Sequence, residues 1–479
     1  MNNLRKFVQF FPTNCSFLIN FVIKELILNM KLHYLLPFVI LFHALSIQAQ
    51  THLNFKNNAA ATVGIYVQDL KTGKVIANQN ANVAMTPASV TKSITVAGAM
   101  LHLNSDFSYR TNVYLVGETI SHNNSINANI VVSSSSDPTL ESEHFPKNKI
   151  FVEKIVENIL AIGVDSINGE IIVVPTRQVE DYSNSWMVED VAWDYGAGYR
   201  NFNYKDNKFI ITYNVDSATF VINEDIPNLD LSIDITPAQT SNIILTRGLG
   251  STSLSVSGNY NQNRHEVKMS CSLPSSQDLF KTDLISRLKE KGIYMTATKL
   301  QIEKNDTLLL YSHNSPTRDE IMRSLMVRSD NMFADAIMQS IAPTGAIDSL
   351  VSTLKKAGIK CNCISLADGC GLSRVDRLTP KFIADVYRLM YKSQYKKAYL
   401  ATFPLSGKDG TMANFCKGTK LEGKLAMKTG SMGGVQCYGG YKLDENNEPT
   451  HSVVIMVNNF FCERYLLRKA IQDFLLKIF

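Results

Sequence analysis

Apolar and polar positions alternate along "TVGIYVQDL" (62–70), the chain turns through "KTGK", and "VIANQN" (75–80) returns, a pattern that predicts a β-hairpin. After "MTPAS" (85–89) the period changes. "VTKSITVAGAMLHL" (90–103) carries apolar residues at helical spacing behind a Ser/Thr start, so a helix is expected. Between about 115 and 310 short β-like runs dominate, among them "NGEIIVVPTR", "KFIITYNVDSATFVIN", "LDLSIDIT" and "SNIILTRG", separated by Asn, Gly, Pro and Ser turns. One amphipathic helix, "DLFKTDLISRLKEKGI" (278–293), closes that region. Helical spacing returns in "RDEIMRSLMVRSDNMFADAIMQSIA" (318–342). "GGVQCYGGYKLDENNEPTHSVVIMVNN" (433–459) reads as two long strands around a polar turn, and "ERYLLRKAIQDFLLKIF" (463–479) as a terminal helix.

This order predicts an α/β (α+β) unit in two sequence segments, 50–115 and 311–479, around a β-rich insertion at 116–310 of one or two subdomains. The N-terminus is set apart. "MKLHYLLPFVILFHALSIQAQ" (30–50) has a basic start, a short apolar run and Ala49 before Gln50, the layout of a secretory signal peptide. Residues 1–49 are therefore read as a leader, with Met30 as initiator and 1–29 an over-extended start. The alternative is a pair of membrane helices over 15–45, against which Lys24, Glu25 and Lys31 interrupt the run. An exported, periplasmic protein with no membrane span in the mature chain is expected.

Hydrophobic residues make up 45% and charged residues 19%, enough apolar material for a real core. Of the net charge of +5, Arg5, Lys6, Lys24 and Lys31 against Glu25 account for more than half. The remainder favours neither nucleic acid nor an acidic surface as partner. Seven cysteines follow the leader: Cys271, Cys361, Cys363, Cys370, Cys416, Cys437 and Cys462. The odd count leaves a free thiol, and no C-x-x-C pair or neighbouring histidine suggests a metal, so burial or one local disulfide is expected.

Three short motifs carry candidate chemistry. In "ASVTK", Ser89 and Lys92 stand three apart, on one face of a helix, where a lysine of lowered pKa can activate the hydroxyl. Ser329-Asp330-Asn331 lies inside a helical stretch, and its hydroxyl and amide can relay a proton and hold a substrate amide; a helix cap or short break is the structural alternative. Lys428-Thr429-Gly430 leads along a strand into "SMGGV", offering a cation and a hydroxyl for a carboxylate beside a residue with no side chain. The earlier Lys71-Thr72-Gly73 is a hairpin turn. There is no G-x-S-x-G elbow and no H-E-x-x-H.

Taken in order, Ser-x-x-Lys, Ser-Asp-Asn and Lys-Thr-Gly resemble the motif set of the penicillin-recognising serine enzymes. Ser89 and Ser329 are 240 residues apart, and an insertion of that size is similar to peptidase family S13, the penicillin-binding protein 4 type D-alanyl-D-alanine carboxypeptidase/endopeptidases. "SSDPTL" (135–140), "WMVEDVAWDYGAG" (186–198), "DGCGLSR" (368–374, with Cys370 in place of serine) and "FPLSGKDGTM" (403–412) resemble further stretches of that family. Gly433 and "GYRNF" (198–202) depart from it.

The resemblance implies a β-lactamase/transpeptidase-like catalytic domain and a serine DD-peptidase of peptidoglycan that works without metal or organic cofactor. Ser89 would be the acylated nucleophile and Lys92 its base. Ser329 and Asn331 would relay protons and hold the substrate amide, and Lys428 and Thr429 would grip the terminal carboxylate. Gly430 would leave room for substrate, and the N–H groups of Ser89 and Ser431 would form an oxyanion hole. Asp190 and Arg374 would meet the zwitterionic tip of a diaminopimelate side chain. Peptidoglycan peptides and β-lactam antibiotics are the implied partners. A β-lactamase, or a penicillin-binding wall sensor without turnover, are the alternative readings.

Overall fold

The computed structural model describes residues 53–56, 58–117, 124–179, 181–300 and 306–479. The expected leader, 1–49, lies outside them. The fold and the site described below belong to the unit Phe55–Lys477.

The predicted hairpin forms as β1 (Thr62–Asp69) and β2 (Val75–Gln79). Asp69 caps its turn by accepting from Thr72 N at 2.6 Å. The 3₁₀ turn Ala88–Val90 then leads into α1 (Thr91–His102). Residues Thr91 to Met100 are all buried, because this helix is packed on every side rather than along one stripe.

The chain enters the inserted region on β3 (Arg110–Gly117) and leaves it on β14 (Asp306–Asn314). These two pair antiparallel, with Asn314 opposite Arg110. Entry and exit are thus neighbours, so almost two hundred intervening residues need not disturb the unit they interrupt. The same sheet holds β4 (Ser125–Ser134), β5 (Ser166–Asn168), β6 (Ile171–Pro175) and β13 (Tyr294–Thr296). α2 (Phe151–Ile162) and α3 (Ser276–Glu290) pack on each other beside it. Two three-stranded sheets complete the region. One joins β12 (Glu266–Ser272), β7 (Lys208–Asn214) and β8 (Thr219–Ile222); the other joins β10 (Asn242–Thr246), β11 (Ser253–Asn261) and β9 (Asp230–Ala238). The insertion has its own hydrophobic core, built around Ile130, Phe209, Phe280 and Leu284.

After β14 come α4 (Arg318–Arg328), α5 (Asn331–Gln339), α6 (Ala346–Lys356), α7 (Pro380–Lys392) and α8 (Lys396–Thr402). α4 starts on a Thr317/Glu320 capping box, and α7 on a Thr379 cap followed by proline. β15 (Leu425–Met432), β16 (Val435–Leu443), β17 (Pro449–Asn458) and α9 (Arg464–Ile478) end the chain. The strands assemble antiparallel as β15-β16-β17-β1-β2, with Ile65 opposite Ile455, so the first and last segments share one sheet. The core beneath it takes Val90, Ile94, Phe333, Leu378, Tyr387 and Met456 from both segments.

Among the described residues all seven cysteines are free thiols, and five of them are buried. The local disulfide allowed above does not form. Among the described residues no helix is long and apolar enough to cross a membrane.

Candidate active site

The turn that carries Ser89 is held from two sides. Ala88 adopts φ +46°, a left-handed conformation costly for a residue with a Cβ. Gly371, at φ +79°, packs so closely that a Cβ there would lie 2.0 Å from the Ala88 carbonyl oxygen. On the other side a Cβ on Gly430 would lie 3.1 Å from Ser89 N and 2.6 Å from Pro87 O. Only residues without side chains allow β15 and the 368–374 loop to close on the serine turn.

One turn later, the fully buried Lys92 projects into the centre. Its Nζ lies 2.9 Å from Ser89 Oγ and donates to Asn331 Oδ1 at 2.5 Å and to the Cys370 carbonyl at 2.6 Å. Burial holds this amine below the ordinary lysine value, while the neighbouring acidic groups of Cys370, Asp335 and Asp368 pull the other way. All three of its contacts are neutral groups. An uncharged lysine amine at this distance can accept a proton from a serine hydroxyl.

Ser329-Asp330-Asn331 does not lie within one helix. Ser329 takes φ +64° and ψ 38° and ends α4, while Asp330 caps α5 by accepting from Phe333 N at 3.0 Å. The capping alternative holds, and the break turns Ser329 Oγ toward Lys428 Nζ, 2.8 Å away, and Asn331 toward Lys92. The other half of the Asn331 amide donates to the Tyr195 carbonyl of the insertion at 2.7 Å. That backbone contact fixes the amide orientation.

Lys428 is fully buried on β15 and also donates to the Thr429 carbonyl at 2.7 Å. Burial first, and the neighbouring Lys92 amine second, hold its amine well below the usual range. An arriving carboxylate would restore the charge, because an anion beside a desolvated lysine favours the protonated form. Thr429 Oγ1 donates to Thr411 Oγ1 at 2.8 Å. Ser431 is exposed, paired with Gln436 on β16.

Asp190 and Arg374 are not joined as an ion pair. Asp190 is buried, accepts from the Tyr195 hydroxyl at 3.1 Å, and is raised above the usual carboxylate value mainly by burial. Arg374 instead stands 4.0 Å from Glu189 and about as far from where a Gly433 Cβ would be. Glu189, Tyr195, Thr411 and the Cys370 carbonyl are site components that motif reading did not single out. Each nevertheless lies in a stretch, "WMVEDVAWDYGAG", "DGCGLSR" or "FPLSGKDGTM", that carried the family resemblance.

Behind Lys92 sits a buried acidic layer. Asp368 accepts from the N–H groups of Cys370, Gly371 and Ser373 and from Trp186 Nε1 at 2.8 Å. Asp335 accepts from Gly369 N at 2.8 Å, and burial pushes its carboxyl up to about 8. Asp376 accepts from Ala367 N at 2.7 Å; burial and the Asp368 charge push it up to about 9. At neutral pH it holds a proton, and the buried Oδ2–H then has Asp368 to donate to.

Two groups of candidate metal ligands occur among the described residues, Asp335/Asp368/Cys370 and Glu143/His144/Asp206. Backbone N–H groups occupy the carboxylates of the first. In the second, Lys208 lies 2.6 Å from Glu143 and 4.0 Å from Asp206, a cation already in place.

Several known proteins resemble the chain. The D-alanyl-D-alanine carboxypeptidase DacB of Haemophilus influenzae is 24% identical over 424 residues, 81% of this chain and 84% of the relative. The D-alanyl-D-alanine carboxypeptidase of Actinomadura sp. strain R39 is 23% identical over 429 residues, 82% of this chain and 77% of the relative. The crystal structure of penicillin-binding protein 4 (dacB) from H. influenzae superposes with a TM-score of 0.74 at 20% identity, covering 89% of this chain and 98% of that one. A second crystal structure of that protein, complexed with a novel β-lactam, gives 0.66. The expected β-lactamase/transpeptidase-like architecture is therefore the one observed. The profile described as the D-Ala-D-Ala carboxypeptidase 3 (S13) family matches residues 46–473, and the chain belongs to that family.

Proposed function

We propose that the protein is a serine DD-peptidase of peptidoglycan that cleaves D-Ala-D-Ala termini, D-Ala-diaminopimelate cross-links or both through an acyl-enzyme on Ser89. The observation that carries this reading is the position of Lys92 Nζ, 2.9 Å from Ser89 Oγ with only neutral partners around it. Lys92 takes the hydroxyl proton as Ser89 Oγ attacks the carbonyl of the penultimate D-Ala. The developing oxyanion is met by the N–H groups of Ser89 and Ser431. Ser329, held by Lys428, relays the proton taken up by Lys92 on to the leaving amine, whose own carboxylate lies against Lys428 and Thr429. Asn331 holds the peptide amide of the acyl half. Water then attacks the ester and frees Ser89.

The insertion acts as a frame: it supplies the Tyr195 carbonyl to Asn331 and presents Glu189 and Asp190 near Arg374. A diaminopimelate tip, carrying an ammonium and a carboxylate, is complementary to that mixed-charge rim. Such a substrate places the enzyme in the periplasm.

Incubation with pentapeptide muropeptides and with cross-linked dimers tests the reading. D-Ala release or cross-link cleavage, abolished by Ser89→Ala, is expected. Penicillin labelling without either product would instead indicate a sensor, and rapid penicillin turnover a β-lactamase.

A further inference from the structure

Between α8 and β15 the chain folds back on itself and forms a 3₁₀ turn, Gly410–Met412. The start of this loop is stitched to β15: Met427 N donates to the Pro404 carbonyl at 3.1 Å, and Ser406 N to the Leu425 carbonyl at 2.9 Å. Asp409 accepts from Leu405 N at 2.6 Å and pairs with Arg323 of α4, which also donates to the Phe403 carbonyl at 2.6 Å. Gly410, at φ +52°, lies so close to α4 that a Cβ would stand 2.3 Å from the carbonyl oxygen of Val327, two residues before Ser329. The next residue, Thr411, is thereby fixed between the helix that ends in Ser329 and the strand that carries Lys428 and Thr429.

The chemistry proposed above does not use Thr411. Its Oγ1 accepts from Thr429 Oγ1 at 2.8 Å, and among the described residues nothing accepts the Thr411 hydrogen in turn. Both threonines are half-buried, so solvent and small groups reach the pair. A threonine hydroxyl has one hydrogen to donate and two lone pairs. One hydrogen of this pair is therefore spent inside it and the other is left over.

An acceptor-only anion suits such a pair. Each hydroxyl can turn its hydrogen to one oxygen of a carboxylate, and charge-assisted bonds of this kind are stronger than the hydroxyl–hydroxyl bond they replace. Lys428 supplies the charge but few donors, because its Nζ already bonds Ser329 Oγ at 2.8 Å and the Thr429 carbonyl at 2.7 Å. A carboxylate with four lone-pair sites has room for a further hydroxyl.

We infer that Thr411 determines specificity for a free carboxylate on the residue being released, donating to it beside Thr429, so that stems amidated at that carboxyl are poor substrates. The inference rests on the peptidase reading, in which the carboxylate of the leaving residue lies against Lys428 and Thr429. D-Ala and the D-centre of diaminopimelate both carry such a carboxylate next to the nitrogen that leaves. An amide there offers one acceptor oxygen in place of two and turns an NH₂ toward a hydroxyl placed to donate.

The test compares an N-acylated D-Ala-D-Ala peptide with its C-terminal carboxamide, reading kcat and KM separately, in the wild type, in T411V and in T411S. The wild type is expected to prefer the carboxylate. T411V keeps the shape and loses the donor, so about ten-fold of that preference should disappear, through a raised KM for the carboxylate peptide. T411S should restore it. Benzylpenicillin and its carboxamide repeat the comparison on the acylation rate, where ring strain keeps both forms measurable. A wild type without preference, a preference that T411V retains, or an equal loss on carboxylate and amide overturns the inference. In each case Thr411 only packs the loop, and the peptidase reading stands. Absence of both D-Ala release and penicillin labelling in the wild type defeats the peptidase reading itself, and this inference with it.

Discussion

In the proposed mechanism Lys92 is a base only while it is uncharged, and its contacts suit that state: a hydroxyl, an amide oxygen and a main-chain carbonyl, without a carboxylate among them. Asn331→Asp places an anion where Oδ1 now lies 2.5 Å from Nζ. Such a neighbour raises a lysine pKa by about 1–3 units. Protonation would then remove the base at a higher pH, so the acid limb of the penicillin acylation rate should move up by that amount. A limb that stays in place would show that Lys92 is not the titrating base. Ser89, Lys92, Ser329, Asn331, Lys428 and Thr429 stood out in the sequence because short spacings encode their motifs, and the fold brings Ser89, Lys92 and Asn331 together and Ser329 to Lys428. The Cys370 and Tyr195 carbonyls did not stand out, since any residue supplies a carbonyl and only folding decides where it points. That Glu189 is the carboxylate 4.0 Å from Arg374 was not legible, because residues adjacent in sequence face different ways on a 3₁₀ turn, and which way depends on what packs against the turn.

At the scale of elements, the 368–374 loop is the joint of the site. It brings the Cys370 carbonyl to Lys92, Gly371 to the serine turn and Arg374 to within 4.0 Å of Glu189, and Asp368 gathers its N–H groups on one carboxylate. Trp186 ties that carboxylate to the insertion. Trp186→Phe keeps most of the packing and removes the indole donor, so a loss of about 1–3 kcal/mol is expected from urea unfolding. Slower penicillin acylation should accompany it, because the strut holds the loop that aligns Lys92. A stability loss with an unchanged acylation rate would make Trp186 structural only. Hairpin β1–β2, α1, α9 and the last two strands were evident from periodicity, which is strongest where one face or a whole element is apolar. The break at Ser329 was hidden by continuous helical spacing on both sides, with only the capping preference of Ser, Asp and Asn to suggest it.

Across the whole molecule, the buried carboxyls and lysines impose opposing pH dependences on stability. Asp335 and Asp376, raised to about 8 and about 9, bind more protons folded than unfolded. Their contribution is complete below the ordinary carboxylate pKa and is lost as pH rises toward 9. Lys92 and Lys428 are lowered, so the unfolded chain binds more protons there, and their contribution falls as pH falls below the ordinary lysine value. Asp376→Asn removes one carboxyl from the balance while keeping a donor toward Asp368. Between pH 5 and about 9 its Tm should decline less steeply than that of the wild type; parallel curves would mean that Asp376 is not protonated in the fold. The division into a split sheet and an insertion was foreseeable from the order of helical and β-like segments. The antiparallel pairing of β3 with β14 was not, because strand partners distant in sequence leave no local signature.

The site of penicillin attachment bears most directly on Ser89 as the acylated nucleophile. Peptide mapping by mass spectrometry after brief exposure to benzylpenicillin should locate the penicilloyl adduct on the peptide containing Ser89, with no adduct in Ser89→Ala and a strongly slowed one in Lys92→Ala. An adduct on any other residue, or undiminished acylation of Ser89→Ala, would contradict it.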